Sequence, residues 1–158
     1  MSDSPTPAES SSESAGPDGA GDPASAALAE ALSAEHAAVY GFEFVGGAAG
    51  DETRRERASA ATYKHRALRD ELHTAAMERG VDPPAARTSY PLPEGRSGAD
   101  MDSFAAGLEQ TTMDAYLWLS AAEDTDLRMT AARVLQEATV RSLEWGAELD
   151  ALPGFGDG

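Results

Sequence analysis

Four ionisable residues, Glu35, His65, Glu109 and Arg141, stand at or beside positions where helical periodicity expects apolar side chains. The stretch "AEHAAVYGFEF", residues 34–44, sets the neighbours Glu35 and His36 inside what otherwise reads as a buried helix. Two kinds of chemistry suit a carboxylate and an imidazole there: ligation of a metal, or a buried salt bridge. At about 100° per residue, Leu28, Leu32, Glu35, Val39, Phe42 and Gly46 form one stripe with Glu35 near its centre. A second stripe holds Ala61, His65, Leu68, Leu72 and Ala75, so His65 points inward. Asp70 and His73 of "DELH" point away, which sets that carboxylate-x-x-His pair in solvent. A third stripe reads Phe104, Leu108, Thr112, Ala115 and Leu119, with Glu109 and Tyr116 on the flank nearest the core. The fourth, Leu127, Ala131, Val134, Ala138, Arg141, Trp145 and Leu149, puts a guanidinium on an apolar face, where it must meet an acid or reach water. His36 and Tyr40 lie beside the first stripe, and hydrogen bonds to a neighbouring element suit them better than proton transfer.

The elements that must position these groups are helices. Residues 1–22 hold Ser, Pro, Gly, Ala and acids, so they are expected to be a disordered acidic tail ahead of a single domain over 23–155. Asp22-Pro23 supplies a cap and a first-turn proline for a helix ending near Gly46. "TRRE" at Thr53–Glu56 has capping-box spacing and opens a second helix that stops at Gly80. Residues 80–99, rich in proline and glycine, form a long irregular crossing. "DMDSF" caps a third helix to about Ala122, and a fourth is expected from Asp126 to Leu152. Two hairpins joined by one long crossover predict an all-α four-helix bundle of the ferritin-like class. Counted from the turns, Glu35 lies opposite His65, and Glu109 falls about 3 Å off the level of Arg141. One polar layer with a member from each helix is expected across the middle of the bundle.

Composition narrows the function classes. The net charge of −16 repels phosphate backbones and anionic membrane surfaces, so neither nucleic acid nor membrane is expected as a partner. With no cysteine, disulfides, thiolate metal sites and cysteine nucleophiles are excluded. The start carries no basic or apolar leader region and no apolar run reaches about 18 residues, so a soluble cytoplasmic protein is expected. "GGAAG" lacks the Lys-Ser/Thr of a phosphate-cradling loop, and no strand-turn-helix context offers a serine nucleophile. Phe44, Leu117 and Trp118 fall off the core stripes and suggest either packing beneath "SYPLP" or a homodimer face, of which the dimer is favoured.

Together, "AEHAAVYGFEFVGG", "HRALRD", "SYPLP", "LEQTTMDAY" and "ATVRSLEW" make residues 24–155 resemble an uncharacterised actinobacterial ferritin-like domain family, a domain of unknown function. The resemblance implies the ferritin-like fold. Di-iron members of that superfamily place a Glu on each of two helices and Glu-x-x-His on each of the other two. Matched residue by residue, Glu35 and Glu109 take the lone glutamate positions, His65 the histidine of the second helix and Glu137 the acid of the fourth. Thr62 stands where the second helix needs its acid, and Val140 where the fourth needs its histidine. Arg141 near the metal level would repel a divalent ion. The expected site is therefore a buried network of Glu35, His65, Glu109 and Arg141, with no cofactor and a non-catalytic binding or assembly role. His36, Tyr40 and Tyr116 stand as accessories. The competing expectation is an iron or manganese oxidoreductase ligated by Glu35, His65, Glu109 and Glu137.

Overall fold

The computed structural model describes residues 22–147, so the expected tail and Leu149 lie outside the described residues apart from Asp22. Among the described residues the structure is four helices and no strand: α1 Pro23–Ala48, α2 Glu52–Glu78, α3 Gly98–Leu119 and α4 Thr125–Glu144. Each starts on a side chain that accepts from exposed first-turn amides: Asp22, Asp51, Ser97 and Asp124. The capping signals expected at "TRRE" and "DMDSF" are displaced a few residues toward the N-terminus, to Asp51 and to a Ser97/Asp100 capping box. The acceptor nearest the first free amides wins, and Arg54 and Asp102 instead form a two-pronged ion pair at 2.9 and 3.1 Å.

Helix α4 ends earlier than periodicity alone suggests. Gly146 takes φ +84°, its amide donates to Leu143, and the Ala147 amide reaches back to Ser142. That left-handed closure exposes no Cβ clash only for glycine, so the helix stops there rather than running to Leu152. Gly80, at φ +66°, closes α2 in the same way, with the Val81 amide bonded to Ala76.

Side-chain pairs define the topology. Tyr116 meets Glu35 and Phe44 meets Phe104, so α1 and α3 are antiparallel neighbours. Arg54 ties the start of α2 to the start of α3, and Arg79 ties its end to Asp124 after α3, so α2 and α3 run the same way. Residues 79–97 must therefore travel back along the bundle, and they do so over α1. His36 Nε2 donates to Pro84 O at 3.1 Å, Tyr40 packs on Tyr90 with centroids 5.3 Å apart, and Arg96 covers Phe44. Alanines 27, 31, 34 and 38 line the buried surface of α1 and let its neighbours come close, while Gly41 lies directly under Leu108, whose Cδ1 would sit 2.5 Å from an added Cβ.

Apolar burial falls into two clusters. One gathers Leu28, Leu32, Leu68, Leu72, Leu119, Leu127 and Val134, the other Phe42, Val45, Ala58, Met101, Ala105 and Trp145. Between them lies a polar stratum whose carboxylates and imidazole have no contact with bulk solvent, so each needs a partner other than bulk water. No helix among the described residues is long and apolar enough to cross a membrane.

Candidate functional site

Each helix contributes one charged group to this stratum, and α3 adds the phenol of Tyr116. Glu35, His65 and Glu109 have no solvent exposure, and the Arg141 side chain keeps 14%. The imidazole of His65 lies between the two carboxylates: Nδ1 is 2.6 Å from Glu35 Oε2 and Nε2 is 3.0 Å from Glu109 Oε1. Both ring nitrogens face acceptors, so both carry protons and the ring is an imidazolium. Phe42 stacks on it at 5.2 Å with 11° between the planes, giving the cation an aromatic face. Arg141 Nε donates to Glu109 Oε1 at 3.0 Å, and the Tyr116 hydroxyl donates to Glu35 Oε1 at 2.8 Å. The chain of contacts runs Tyr116, Glu35, His65, Glu109, Arg141, and its two anions and two cations cancel.

The pKa directions follow from this pairing. Burial by itself would lower the pKa of His65, but hydrogen bonds to Glu109 and Glu35 outweigh it and raise the pKa to about 9. Burial pushes the Glu109 carboxyl up, and His65 with Arg141 overcomes that and holds it below its ordinary value. Burial and the adjacent Glu35 carboxylate push the Tyr116 phenol well above its ordinary range, so it stays a donor.

The structure thus brings together Glu35, His65, Glu109 and Arg141 and adds Tyr116 as a full member. Periodicity placed Glu109 and Tyr116 on a flank; both are at zero exposure, whereas Phe104 and Leu108 are only half-buried. The reason is the close approach of α1, where Phe104 packs edge-on against Phe44 and Leu108 lies over Gly41, which turns α3 so that Glu109 faces the centre. Arg141 takes Glu109, and Glu35 is satisfied by His65 and Tyr116 instead. His36 and Tyr40 stay apart, turned from α1 against the crossing segment. Glu137 sits at the rim, 2.6 Å from Lys64 Nζ and 3.8 Å from Arg141 Nη1, and Arg133 pairs with Glu71 at 2.9 Å. Lys64 and Arg133 escaped the sequence reading; the signal for Arg133 was the i, i+4 row Arg133, Glu137, Arg141 of alternating charge on α4.

Arg141→Leu is expected to lower stability in urea unfolding by about 2–3 kcal/mol. That is less than the full cost of stranding a buried acid, because His65 still holds Glu109. A variant as stable as the parent would mean that Glu109 does not depend on the guanidinium.

A family model for a domain of unknown function, DUF4439, matches residues 27–157. The chain belongs to the DUF4439 family. Its fold is similar to the crystal structure of a conserved hypothetical protein, rv2844, from Mycobacterium tuberculosis. The two share 31% identity and a TM-score of 0.73, over 78% of this chain and 95% of that one. No curated protein matches the chain.

In this layer the carboxylates and the imidazole face one another. A metal-binding imidazole needs a free lone pair, and both nitrogens of His65 are committed to carboxylates. Thr62 spends its hydroxyl on Ala58 O, and Val140 is 58% exposed, so neither position could complete a ligand set. Among the described residues no group of three or more His, Asp or Glu side chains is disposed to hold a metal ion.

Proposed function

We propose that this protein is a non-catalytic, ferritin-like four-helix bundle in which a salt-bridged polar layer stands where metal-binding relatives of that superfamily hold iron or manganese, and that it works by binding or assembly. The observation that carries this reading is His65, fully buried and gripped through both ring nitrogens by Glu35 and Glu109. A site with its imidazole protonated, a guanidinium on its second carboxylate and no net charge offers neither a ligand lone pair nor a base with an accessible substrate position. Supporting the ferritin-like assignment, α2 and α3 run in the same direction and residues 79–97 return along α1 between them. An assembly role is supported by large apolar side chains facing water on α3 and α4: Leu117 at 60% exposure, Trp118 at 47% and Met129 at 67%. A homodimer is the assembly proposed.

The test is metal content and molar mass on one aerobically purified sample. Less than stoichiometric iron or manganese, with a mass of two chains by light scattering, is the expected result. About one iron or manganese per chain, lost on Glu35→Ala, would overturn the metal-free reading, and a monomer at high concentration would overturn the homodimer.

A further inference from the structure

The two ends of the polar layer are not equivalent. At the Glu35 end both carboxylate oxygens have partners, Oε1 the Tyr116 hydroxyl at 2.8 Å and Oε2 the His65 Nδ1–H at 2.6 Å. At the other end Glu109 Oε1 accepts from His65 Nε2 and from Arg141 Nε, each at 3.0 Å, while Oε2 finds no hydrogen-bond partner among the described residues. Arg141 Nη2 is buried and equally unpartnered. The guanidinium therefore makes one prong of a two-pronged grip on Glu109, and each partner of this ion pair keeps one buried atom without a hydrogen bond. Such groups, buried without partners, are strongly disfavoured in folded proteins.

The helices that flank this end are also unusually far apart. Helices packed at the common spacing of about 8–10 Å bring facing Cα atoms to about 3.5–5.5 Å, given a Cα radius of about 2.3 Å. No Cα of α2 lies within 8 Å of a Cα of α4. The seam is spanned by the Lys64–Glu137 and Arg133–Glu71 pairs, whose side chains are a third to nearly half exposed.

We infer that an internal water molecule bridges Glu109 Oε2 and Arg141 Nη2, and that this α2–α4 seam is the solvent port of the polar layer, the Glu35 end being sealed. The occupant must donate to the carboxylate oxygen and accept from the guanidinium. Water does both, whereas chloride cannot donate and ammonium cannot accept. Glu137 Oε2, 3.8 Å from Arg141 Nη1 and 2.6 Å from Lys64 Nζ, is a further buried oxygen at this end. Protons then reach His65 from the Nε2 side, through Glu109, and not from the Nδ1 side, where Tyr116 and Glu35 close the chain.

This inference rests on the metal-free reading of the layer, and the experiment separates the two. A high-resolution crystal structure of the full chain, with metal content measured on the same preparation, is combined with nitrogen-15 NMR of the His65 ring protons. The expected result is ordered solvent density within hydrogen-bonding distance of both atoms, and faster exchange with water at Nε2–H than at Nδ1–H. Iron or manganese in the layer overturns the functional reading. In a metal-free protein, a closed Arg141–Glu109 fork, a protein group from beyond residue 147 in the water's place, or equal exchange at the two nitrogens overturns this inference alone.

Discussion

Replacing His65 with leucine is expected to destabilise the protein by roughly 3–5 kcal/mol in urea or guanidinium unfolding, the cost of breaking a buried ion pair by removing one partner. Among the described residues His65 is the one cation that touches both Glu35 and Glu109, and neither carboxylate is exposed to bulk water. Arg141 leans only on Glu109, so Glu35 would keep the Tyr116 hydroxyl alone. With its countercharge gone, one acid or the other must take up a proton, and the variant should regain stability as pH falls. The companion variant Glu35→Met, His65→Leu, Glu109→Met, which removes the charges together, is expected to recover most of the loss because apolar packing replaces a paired charge cluster at little cost. A His65→Leu protein as stable as its parent would show that the two acids do not depend on the imidazolium. A triple variant no better than the single one would show that shape at this level, not charge, is what matters.

Stability should also fall as the solution turns alkaline. The folded pKa of His65, about 9, lies above its ordinary 6.5, so the folded state holds a proton that the unfolded state releases. The contribution is fully present below 6.5 and is lost as pH rises toward 9. One proton of difference corresponds to about 1.4 kcal/mol per pH unit, or about 3 kcal/mol over the window. Glu109, held below its ordinary value, acts in the opposite sense: its contribution is present above 4.5 and fades in acid as the carboxyl protonates. Tyr116 pulls in the same direction as His65, but only above its ordinary 10. Chemical denaturation at a series of pH values should therefore place the maximum between about 4.5 and 6.5, with a limb falling from 6.5 toward 9; in His65→Leu the fall should begin lower, near 4.5, where the acid left without its countercharge holds a proton that the unfolded chain releases. A limb that still begins near 6.5 in that variant would remove His65 as its source.

Much of the architecture was legible because helices announce themselves locally. Asp22-Pro23 and Gly80 mark their ends through bonds made within a few residues, and the 3.6-residue period assigns Leu32, Leu68, Ala131 and their neighbours to one side of each helix. Gly146 was an equally local signal, outweighed in the reading by a periodicity that continues past it through Leu149. Counting residues from a turn is also local arithmetic, and it set Glu35 level with His65, whose side chains meet at 2.6 Å.

The sequence by itself therefore determined the helices, the inward faces of α1, α2 and α4 and the height of the ionisable groups, since each depends on bonds within one chain segment or one hairpin; the face of α3 was turned by packing on α1. Only the tertiary structure decided the partners: Tyr116 for Glu35, Glu109 for Arg141, and the separation of α2 from α4. A helical period reports an angle about its own axis and carries no information on which helix stands opposite. That depends on how closely the alanines of α1 and Gly41 let α2 and α3 approach, a sum over contacts between residues far apart in the chain.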